Sequence, residues 1–129
     1  MKVQYFDLKN KRALISGGAS GIGSSIVEHL CEQGVEVYFF DIDKKEAQKL
    51  ISKIKKKKQT IPTFLFCNIK NIKKYINLIQ GIIKKKGPID ILINNASNDQ
   101  RHTLEEITKI LGRKNVNKFK ALFIRYSSS

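Results

Sequence analysis

Short apolar runs alternate with segments of helical periodicity along most of this chain, and this alternation limits the possible folds more than any other feature. Four runs have the length and composition of strands: RALIS (12–16), VEVYFFD (35–41), TFLFCN (63–68) and IDILIN (89–94). Strands that alternate with helices are typical of repeated strand–helix units around a parallel sheet. The pattern therefore predicts an α/β fold with a doubly wound parallel sheet.

The segments between these runs predict three helices, each with one apolar stripe. The stripes are Ile22, Ile26, Val27 and Leu30; Ala47, Leu50, Ile51 and Ile54; and Ile72, Tyr75, Ile76, Ile79 and Ile83. The fourth apolar run has apolar residues on both faces, so helices should cover both faces of the sheet. A weaker helical pattern begins near Glu105, and no repeat or second domain is indicated.

Composition and cysteine content narrow the class of protein. Hydrophobic residues make up 41% and charged residues 28% of the 129 positions, which is ordinary for a globular chain. No run approaches the ~18 apolar residues of a spanning helix, and no signal peptide is recognisable. We therefore expect a cytoplasmic protein with no membrane partner. Cys31 and Cys67 lack metal-ligand spacing, so we expect two buried thiols and no metal site.

The formal net charge of +14 raises the hypothesis of a nucleic-acid partner. Basic clusters such as KIKKKK (53–58) and KKK (84–86) could neutralise phosphates. The basic residues are mostly lysine, however, whereas reading of bases and bidentate phosphate binding favour arginine. Both clusters also lie at the ends of predicted helices, where cations complement the helix dipole. We therefore keep nucleic-acid binding only as a disfavoured alternative.

The stretch LISGGASGIGSSIVEHL (14–30) places glycines at positions 17, 21 and 23 between a strand and a helix. Such a turn presents unpaired backbone N–H groups and the positive end of the helix dipole, which together bind an anion such as a pyrophosphate. Gly17 would permit the tight turn, Gly21 the close approach of the phosphate, and Gly23 the packing of helix against strand. An ordinary flexible turn is the alternative interpretation.

Asp41 ends the second strand, eighteen residues after Gly23. An acidic residue at this place can accept hydrogen bonds from an adenosine ribose. The alternative is a helix cap shared with Asp43, but Asp43 is better placed for that role. We therefore predict a dinucleotide cofactor, and NAD rather than NADP, because Asp41 would face the 2′-phosphate of NADP.

Two of these segments resemble a known family. SGGASGIG (16–23) is similar to the glycine motif of the short-chain dehydrogenases/reductases, with Ser16 in place of threonine, and NNA (94–96) is similar to their Asn-Asn-Ala-Gly motif. Val116 and Asn117 fall where this family has a helix asparagine that joins a proton relay. The resemblance covers residues 10 to about 108. We accordingly expect a Rossmann-like sheet with strand order 3-2-1-4.

The resemblance implies which residues would contact the cofactor. These are Gly17, Ser20, Gly21, Ile22, Gly23, Asp41, Asn68, Ile69, Asn94 and Ala96. Asn68 stands where the family usually has an aspartate that touches adenine, and its amide oxygen could accept a bond from the adenine amino group. Asn117, through the relay, is the catalytic position that the resemblance implies.

The segment after the fourth apolar run is similar to a sugar-oxidising subgroup of the same family. In NNASNDQRHTLEEIT (94–108), the resemblance implies that Arg101 and His102 lie near the substrate, which would be an alcohol, a ketone or a sugar. The alternative is a solvated loop without substrate contacts. The sequence leaves both interpretations open.

The family's active site also needs a serine and a Tyr-x-x-x-Lys pair, and the sequence after Asn117 contains neither in a fitting place. YFDLK (5–9) fits the string but precedes the first strand, so we assign it no catalytic role. We expect residues 1–129 to form one dinucleotide-binding domain that is incomplete at its C-terminus. The hypotheses are a part of an NAD-dependent oxidoreductase, a catalytically silent remnant that at most binds dinucleotide, or a basic nucleic-acid-binding module.

An incomplete sheet has a consequence for association. IDILIN (89–94) is apolar on both faces like an interior strand, yet this interpretation places no fifth strand beside it. One of its edges would then lack a partner, and exposed apolar edges pair with other chains. We therefore expect self-association.

Overall fold

The structure is a computed structural model that describes residues 7–95, 109 and 120–122. Its strands are β1 (Arg12–Ser16), β2 (Glu36–Asp41), β3 (Thr63–Phe66), β4 (Ile91–Asn94) and β5 (Lys120–Leu122). The helices with described bounds are α1 (Gly21–Glu32), α2 (Lys44–Lys56) and α3 (Ile72–Lys86). Each of the four predicted apolar runs contains a strand, and each predicted stripe lies on a helix.

The strands form one parallel sheet in the order β3-β2-β1-β4-β5. Leu14 of β1 is in register with Tyr38 of β2 on one side and with Leu92 of β4 on the other. The predicted order 3-2-1-4 is therefore confirmed. The sheet is Rossmann-like, with β1 in its interior.

The expectation of an unpaired edge on β4 is wrong. Lys120–Leu122 runs parallel to β4, with Ile91 opposite Lys120 and Ile93 opposite Leu122. A parallel ladder is held by backbone hydrogen bonds, so a three-residue strand can pair without a long apolar run to mark it in the sequence. This edge of β4 is therefore not free to pair with another chain.

Helices cover both faces of the sheet, and each face has its own apolar cluster. On one face, α1 and α2 pack with residues that include Val27, Leu50, Ile54 and Phe39. On the other face, α3 packs with the alternate residues of the strands: Leu14, Tyr38, Phe40, Cys67, Tyr75, Ile79, Ile82, Ile89 and Leu92 are buried there. The alternation of strand residues between the two clusters is what a doubly wound sheet requires.

The helical stripes differ from the prediction at a few positions. Ile22, in the first turn of α1, is 44% exposed rather than buried. In α3 the buried residues are Tyr75, Ile79 and Ile82, while Ile83 is only partly buried against the same cluster. The face of α3 that contacts the sheet thus includes Ile82 in addition to the predicted positions Tyr75 and Ile79. Helical spacing identifies an apolar face but does not fix which of its residues lie deepest against the sheet.

The residues at the helix ends form the caps that their residue types favour. Asp43 caps α2 by accepting a hydrogen bond from Glu46 N at 3.0 Å, as predicted. Asn71 caps α3 in the same way, with Lys74 N at 3.3 Å, and α3 ends at Gly87, whose φ is 107°. Cys31 and Cys67 are both free and buried. Among the described residues, no helix is both long and apolar enough to cross a membrane.

Candidate functional site

The candidate site lies at the edge of the sheet where the carboxyl ends of the parallel strands meet. The glycine loop follows β1, Asp41 ends β2, Asn68 follows β3, and Asn94 ends β4. In open α/β sheets this edge is where ligands bind, at the point where the chain turns from one side of the sheet to the other. The topology therefore brings these sequence-predicted residues to one edge.

The loop after β1 is held against β2 by its own backbone. Gly17 N and Gly18 N both donate to Phe40 O, at 2.8 and 3.4 Å. Gly17 has φ 68°, in the left-handed region that favours glycine. A Cβ on Gly18 would lie 2.6 Å from Phe39 Cβ, so a side chain does not fit there. The sequence reasoning overlooked Gly18, although the doublet of glycines was visible.

Gly21 and Gly23 differ in what surrounds them. Gly21 has φ 59°, and a Cβ there would meet nothing within 4 Å, so this side of the turn is open. A Cβ on Gly23 would lie 1.9 Å from Gly17 O and 2.6 Å from Asn95 Nδ2. The first turn of α1 thus presses against the loop on one side and leaves open space on the other.

The N-terminus of α1 has no side-chain cap. Its N-cap residue, Ser20, is exposed and makes no capping hydrogen bond, and the first turn of α1 contains no acidic residue. By contrast, Asp43 and Asn71 cap α2 and α3 through their own side chains. Unpaired N–H groups and the positive pole of the dipole therefore remain at α1, where they can bind an anion.

Asp41 is engaged in three backbone hydrogen bonds. Its Oδ2 accepts from Ala19 N at 3.0 Å, and its Oδ1 accepts from Ile42 N at 2.7 Å and Asp43 N at 3.1 Å. The carboxylate therefore ties the glycine loop to the turn between β2 and α2, a role that the sequence did not reveal. A carboxylate has about four acceptor sites, so one remains on the half-buried side chain.

Asn68 and Ile69 lie between β3 and α3. Asn68 Oδ1 accepts from Lys70 N at 3.0 Å, and Asn68 O accepts from Asn71 N at 2.9 Å. The Asn68 side chain is exposed and Ile69 is half-buried. These bonds shape the turn and leave Asn68 Oδ1 one further acceptor lone pair.

A small polar network joins the ends of β1 and β4. Ser16 Oγ donates to Asn94 Oδ1 at 2.6 Å and accepts from Asn95 N at 3.1 Å. Asn95 Nδ2 then donates to Gly17 O at 3.1 Å. Asn95 Oδ1 is buried and has no hydrogen-bond partner within residues 7–95, 109 and 120–122. Asn95 was missed because only its neighbours in NNA were assigned to the cofactor.

Four assigned residues have no described geometry. Ala96, Arg101, His102 and Asn117 lie outside the described residues. The structure therefore brings together the residues assigned to the cofactor except Ala96, whereas the substrate loop and the relay asparagine keep only their sequence-based assignment. Within the described part of the chain, no group of three or more His, Cys, Asp and Glu side chains could hold a metal ion.

Comparison with known proteins adds to this geometry. Residues 11–118 match the short chain dehydrogenase family. The chain is 32% identical over 106 residues to the probable galactose dehydrogenase GalD of Rhizobium meliloti, covering 82% of this chain and 41% of that protein. It is 35% identical over 104 residues to the D-xylose 1-dehydrogenase of Caulobacter vibrioides, covering 81% of this chain and 40% of that protein.

The chain thus spans about two fifths of the length of these curated relatives. Among solved structures, NAD⁺-bound xylitol dehydrogenase superposes with a TM-score of 0.75 at 17% identity, over 90% of this chain and 53% of that one. At this level of identity the superposition shows a shared fold.

Proposed function

This chain belongs to the short-chain dehydrogenase family, and on that premise we propose that it is the NAD(H)-binding part of an oxidoreductase acting on an alcohol or carbonyl group. The observation that carries the proposal is the uncapped N-terminus of α1 beside the open face of Gly21. A bound dinucleotide would supply the hydride acceptor or donor. The residues of this chain would bind and orient it.

The pyrophosphate would lie against the first turn of α1. The open space at Gly21 lets a phosphate approach the backbone, and the backbone N–H groups of this turn would donate to its oxygens. Ser20, Ile22 and Gly23 belong to the same turn. Asn95 Oδ1, a buried acceptor beside Gly17 without a described partner, is a further group that fits a hydrogen-bond donor of the ligand.

The adenosine would lie across the ends of β2 and β3. The remaining acceptor site of Asp41 suits a ribose hydroxyl, and Asn68 with Ile69 would border the adenine. A 2′-phosphate about 4 Å from Asp41 would be repelled by ~4 kcal/mol per unit charge at an effective dielectric near 20. Lys44 is held over the ring of Phe66, 4.4 Å from its centroid, and exposed ammonium groups offset little of such repulsion. We propose NAD over NADP on this basis.

Parallel titrations with NADH and NADPH, followed by the change in nucleotide fluorescence, test this function. We expect NADH to bind at least about 100-fold more tightly, since part of the repulsion is lost to salt screening. Equal or tighter binding of NADPH would refute the assignment of Asp41. No binding of either nucleotide would refute the proposed function itself.

For the substrate we propose a sugar, an alcohol or a ketone, with Arg101 and His102 in contact with it and Asn117 in the proton relay. The resemblance of residues 94–108 to a sugar-oxidising subgroup supports this, as do the two relatives named as galactose and xylose dehydrogenases. In a longer relative with the same loop, the change equivalent to Arg101→Ala should raise KM for the sugar and leave the Kd of NADH unchanged. An unaltered KM would remove Arg101 from the substrate site.

A polyanion-binding function is the second candidate. A shallow groove of about 710 Å³ on α2 is lined by lysines and two polar residues: Lys45, Gln48, Lys49, Ser52, Lys53, Lys56 and Lys57. Three of these lysines already pair with Glu46 or Glu28, which weakens the local positive field. Binding that falls steeply with added salt and is not displaced by NAD would favour this candidate over the oxidoreductase.

The remaining proposals concern the whole protein. We propose that it works in the cytoplasm, as composition suggests. We also propose that it self-associates, through a surface other than the edge of β4, which pairs with β5.

A further inference from the structure

Phe66 places an aromatic ring in an exposed position beside the candidate site. It is the last residue of β3 and is 46% exposed, although large apolar side chains are mostly buried in folded proteins. Two ammonium groups lie against its ring: Lys44 Nζ is 4.4 Å and Lys74 Nζ is 5.4 Å from the centroid. Both distances are within the range of a cation–π interaction. The ring therefore binds two cations of this chain.

The two lysines stand where a helix does not favour a positive charge. Lys44 is the first residue of α2, and Lys74 is the third residue of α3. The positive pole of the helix dipole repels an ammonium group in the first turn. The contacts with the ring, rather than the helix ends, therefore account for where both ammonium groups lie.

Phe66 is the neighbour of Asp41 across the sheet. The two residues are register partners in the parallel pair of β2 and β3. Two residues earlier on the same strands, the rings of Phe39 and Phe64 lie 5.3 Å apart, in the cluster under α1 and α2. Because side chains alternate between the faces of a sheet, Asp41 and Phe66 share this face as well. The ring that binds Lys44 thus stands next to the carboxylate.

Asp41 has no ammonium partner within residues 7–95, 109 and 120–122. Its carboxylate accepts hydrogen bonds from three backbone N–H groups instead. Lys44 follows it by only three residues, but its ammonium group lies over the ring. Without the ring, the flexible side chain of Lys44 is free to turn toward the carboxylate or toward a phosphate bound beside it.

We propose that Phe66 is a positioning residue for Lys44 and, through it, a determinant of the preference for NAD(H). An ammonium group over the ring neither neutralises Asp41 nor pairs with a 2′-phosphate, so the carboxylate keeps its repulsion of that phosphate. Lys74, over the same ring, is kept away in the same manner. This inference rests on the proposed function, because it concerns discrimination at the site assigned to NAD(H).

Phe66→Leu tests the proposal, since it removes the ring and keeps an apolar residue in β3. The freed ammonium group should strengthen the binding of NADPH. The Kd of NADPH divided by that of NADH should therefore fall about 3- to 5-fold, as expected for an exposed cation–π contact. Phe66→Tyr keeps the ring and should leave this ratio within about 1.5-fold of the wild-type value. Phe64→Leu is the matched control and should also leave it unchanged, because Phe64 packs against Phe39.

Lys44→Met separates this role from a simple contact between Phe66 and the nucleotide. In the Lys44→Met background, Phe66→Leu should change the ratio much less, since the ammonium group held by the ring is gone. A ring that only packs against the adenosine would change both Kd values equally, with or without Lys44. The additional NADPH affinity of Phe66→Leu should also decline with added salt, because exposed ion pairs are screened.

NMR spectra of the nucleotide-free protein measure the contact itself. The ring current of Phe66 should shift the ε-methylene protons of Lys44 upfield in the wild type and in Phe66→Tyr. The shift should be absent in Phe66→Leu. Equal Lys44 shifts in the wild type and Phe66→Leu would overturn the positioning role without any nucleotide present.

The outcomes of the titrations separate this inference from the proposed function. If the wild type prefers NADH but Phe66→Leu leaves the ratio unchanged, or changes it fully in the Lys44→Met background, the role of Phe66 is overturned and the cofactor assignment stands. A wild type that binds NADPH as well as NADH refutes the role of Asp41 and this inference together, while the dinucleotide site stands. A wild type that binds neither nucleotide refutes the proposed function, and the discrimination assigned to Phe66 falls with it.

Discussion

At the scale of single residues, the carboxylate of Asp41 has both a fixed position and a negative charge, and a ligand site needs both. Its bonds to Ala19 N, Ile42 N and Asp43 N fix its position, and the charge that they surround is the one expected to discriminate against a 2′-phosphate. Two features of the sequence identified Asp41 as a candidate: its place at the end of the second apolar run and its distance of eighteen residues from Gly23. It gave no sign of the bond to Ala19, because that contact joins two turns that are 22 residues apart.

We predict that Asp41→Asn reduces the preference for NADH over NADPH to less than about tenfold, because the repelling charge is lost while the side chain keeps its shape. Asp43→Asn is the matched control, since Asp43 serves α2 as a cap. Nucleotide titrations of both variants measure the ratio of the two Kd values. A preference that persists in Asp41→Asn, or that disappears equally in Asp43→Asn, would contradict the assignment.

At the scale of secondary-structure elements, two helical glycines are expected to respond in opposite ways to alanine. A Cβ on Gly23 in α1 would collide with Gly17 O at 1.9 Å, whereas a Cβ on Gly81 in α3 would meet nothing within 4 Å. Gly23→Ala should lower the free energy of unfolding by about 3 kcal/mol or more. Gly81→Ala should raise it by about 0.5 to 1 kcal/mol. Denaturant unfolding measures both, and equal effects would argue against the close packing at Gly23.

The contact between α1 and α2 adds a dependence on pH. Hydrogen bonding to Lys57, with a further contribution from Lys53 at 3.2 Å, holds the pKa of Glu28 below its usual 4.5. A depressed pKa stabilises the fold at pH values above 4.5, and this contribution is lost as the pH falls through the pKa of the folded state.

Glu28→Gln should therefore lower the free energy of unfolding by up to about 1 kcal/mol near neutral pH, since both lysines are partly solvated. The difference from the wild type should vanish in acid, below the pKa of Glu28 in the folded state. Chemical unfolding at neutral and acid pH measures it. A difference that stays constant with pH would show that the ion pairs do not contribute.

At the scale of the whole molecule, β5 covers one edge of β4, and loss of β5 would expose that edge. Ala121→Pro removes a backbone N–H from the middle of β5 and should weaken its pairing with β4. We expect this variant to form larger species in size-exclusion chromatography with light scattering, because an apolar edge becomes available. Ala121→Val keeps the N–H and should elute like the wild type. Identical elution of all three proteins would contradict this role of β5.

The sequence predicted the sheet and its order well but the site only in part. The strands β1 to β4 and the helix α2 could be recognised because the spacing of their apolar residues is a local pattern that is visible in the sequence. β5 could not, because a three-residue strand is specified by pairing with β4. Asn95 escaped notice for a related reason, since its role depends on Ser16, which is distant from it along the chain.

The two cysteines give each helical layer its own chemical reporter. Cys31 belongs to the cluster under α1 and α2, and Cys67 to the cluster under α3. Burial raises the pKa of Cys31 to about 12 and raises that of Cys67 as well, so neither thiol is reactive while its layer is closed. Alkylation of each thiol therefore measures the opening of its own layer, and two rates from one sample resolve whether the two faces of the sheet open together or independently.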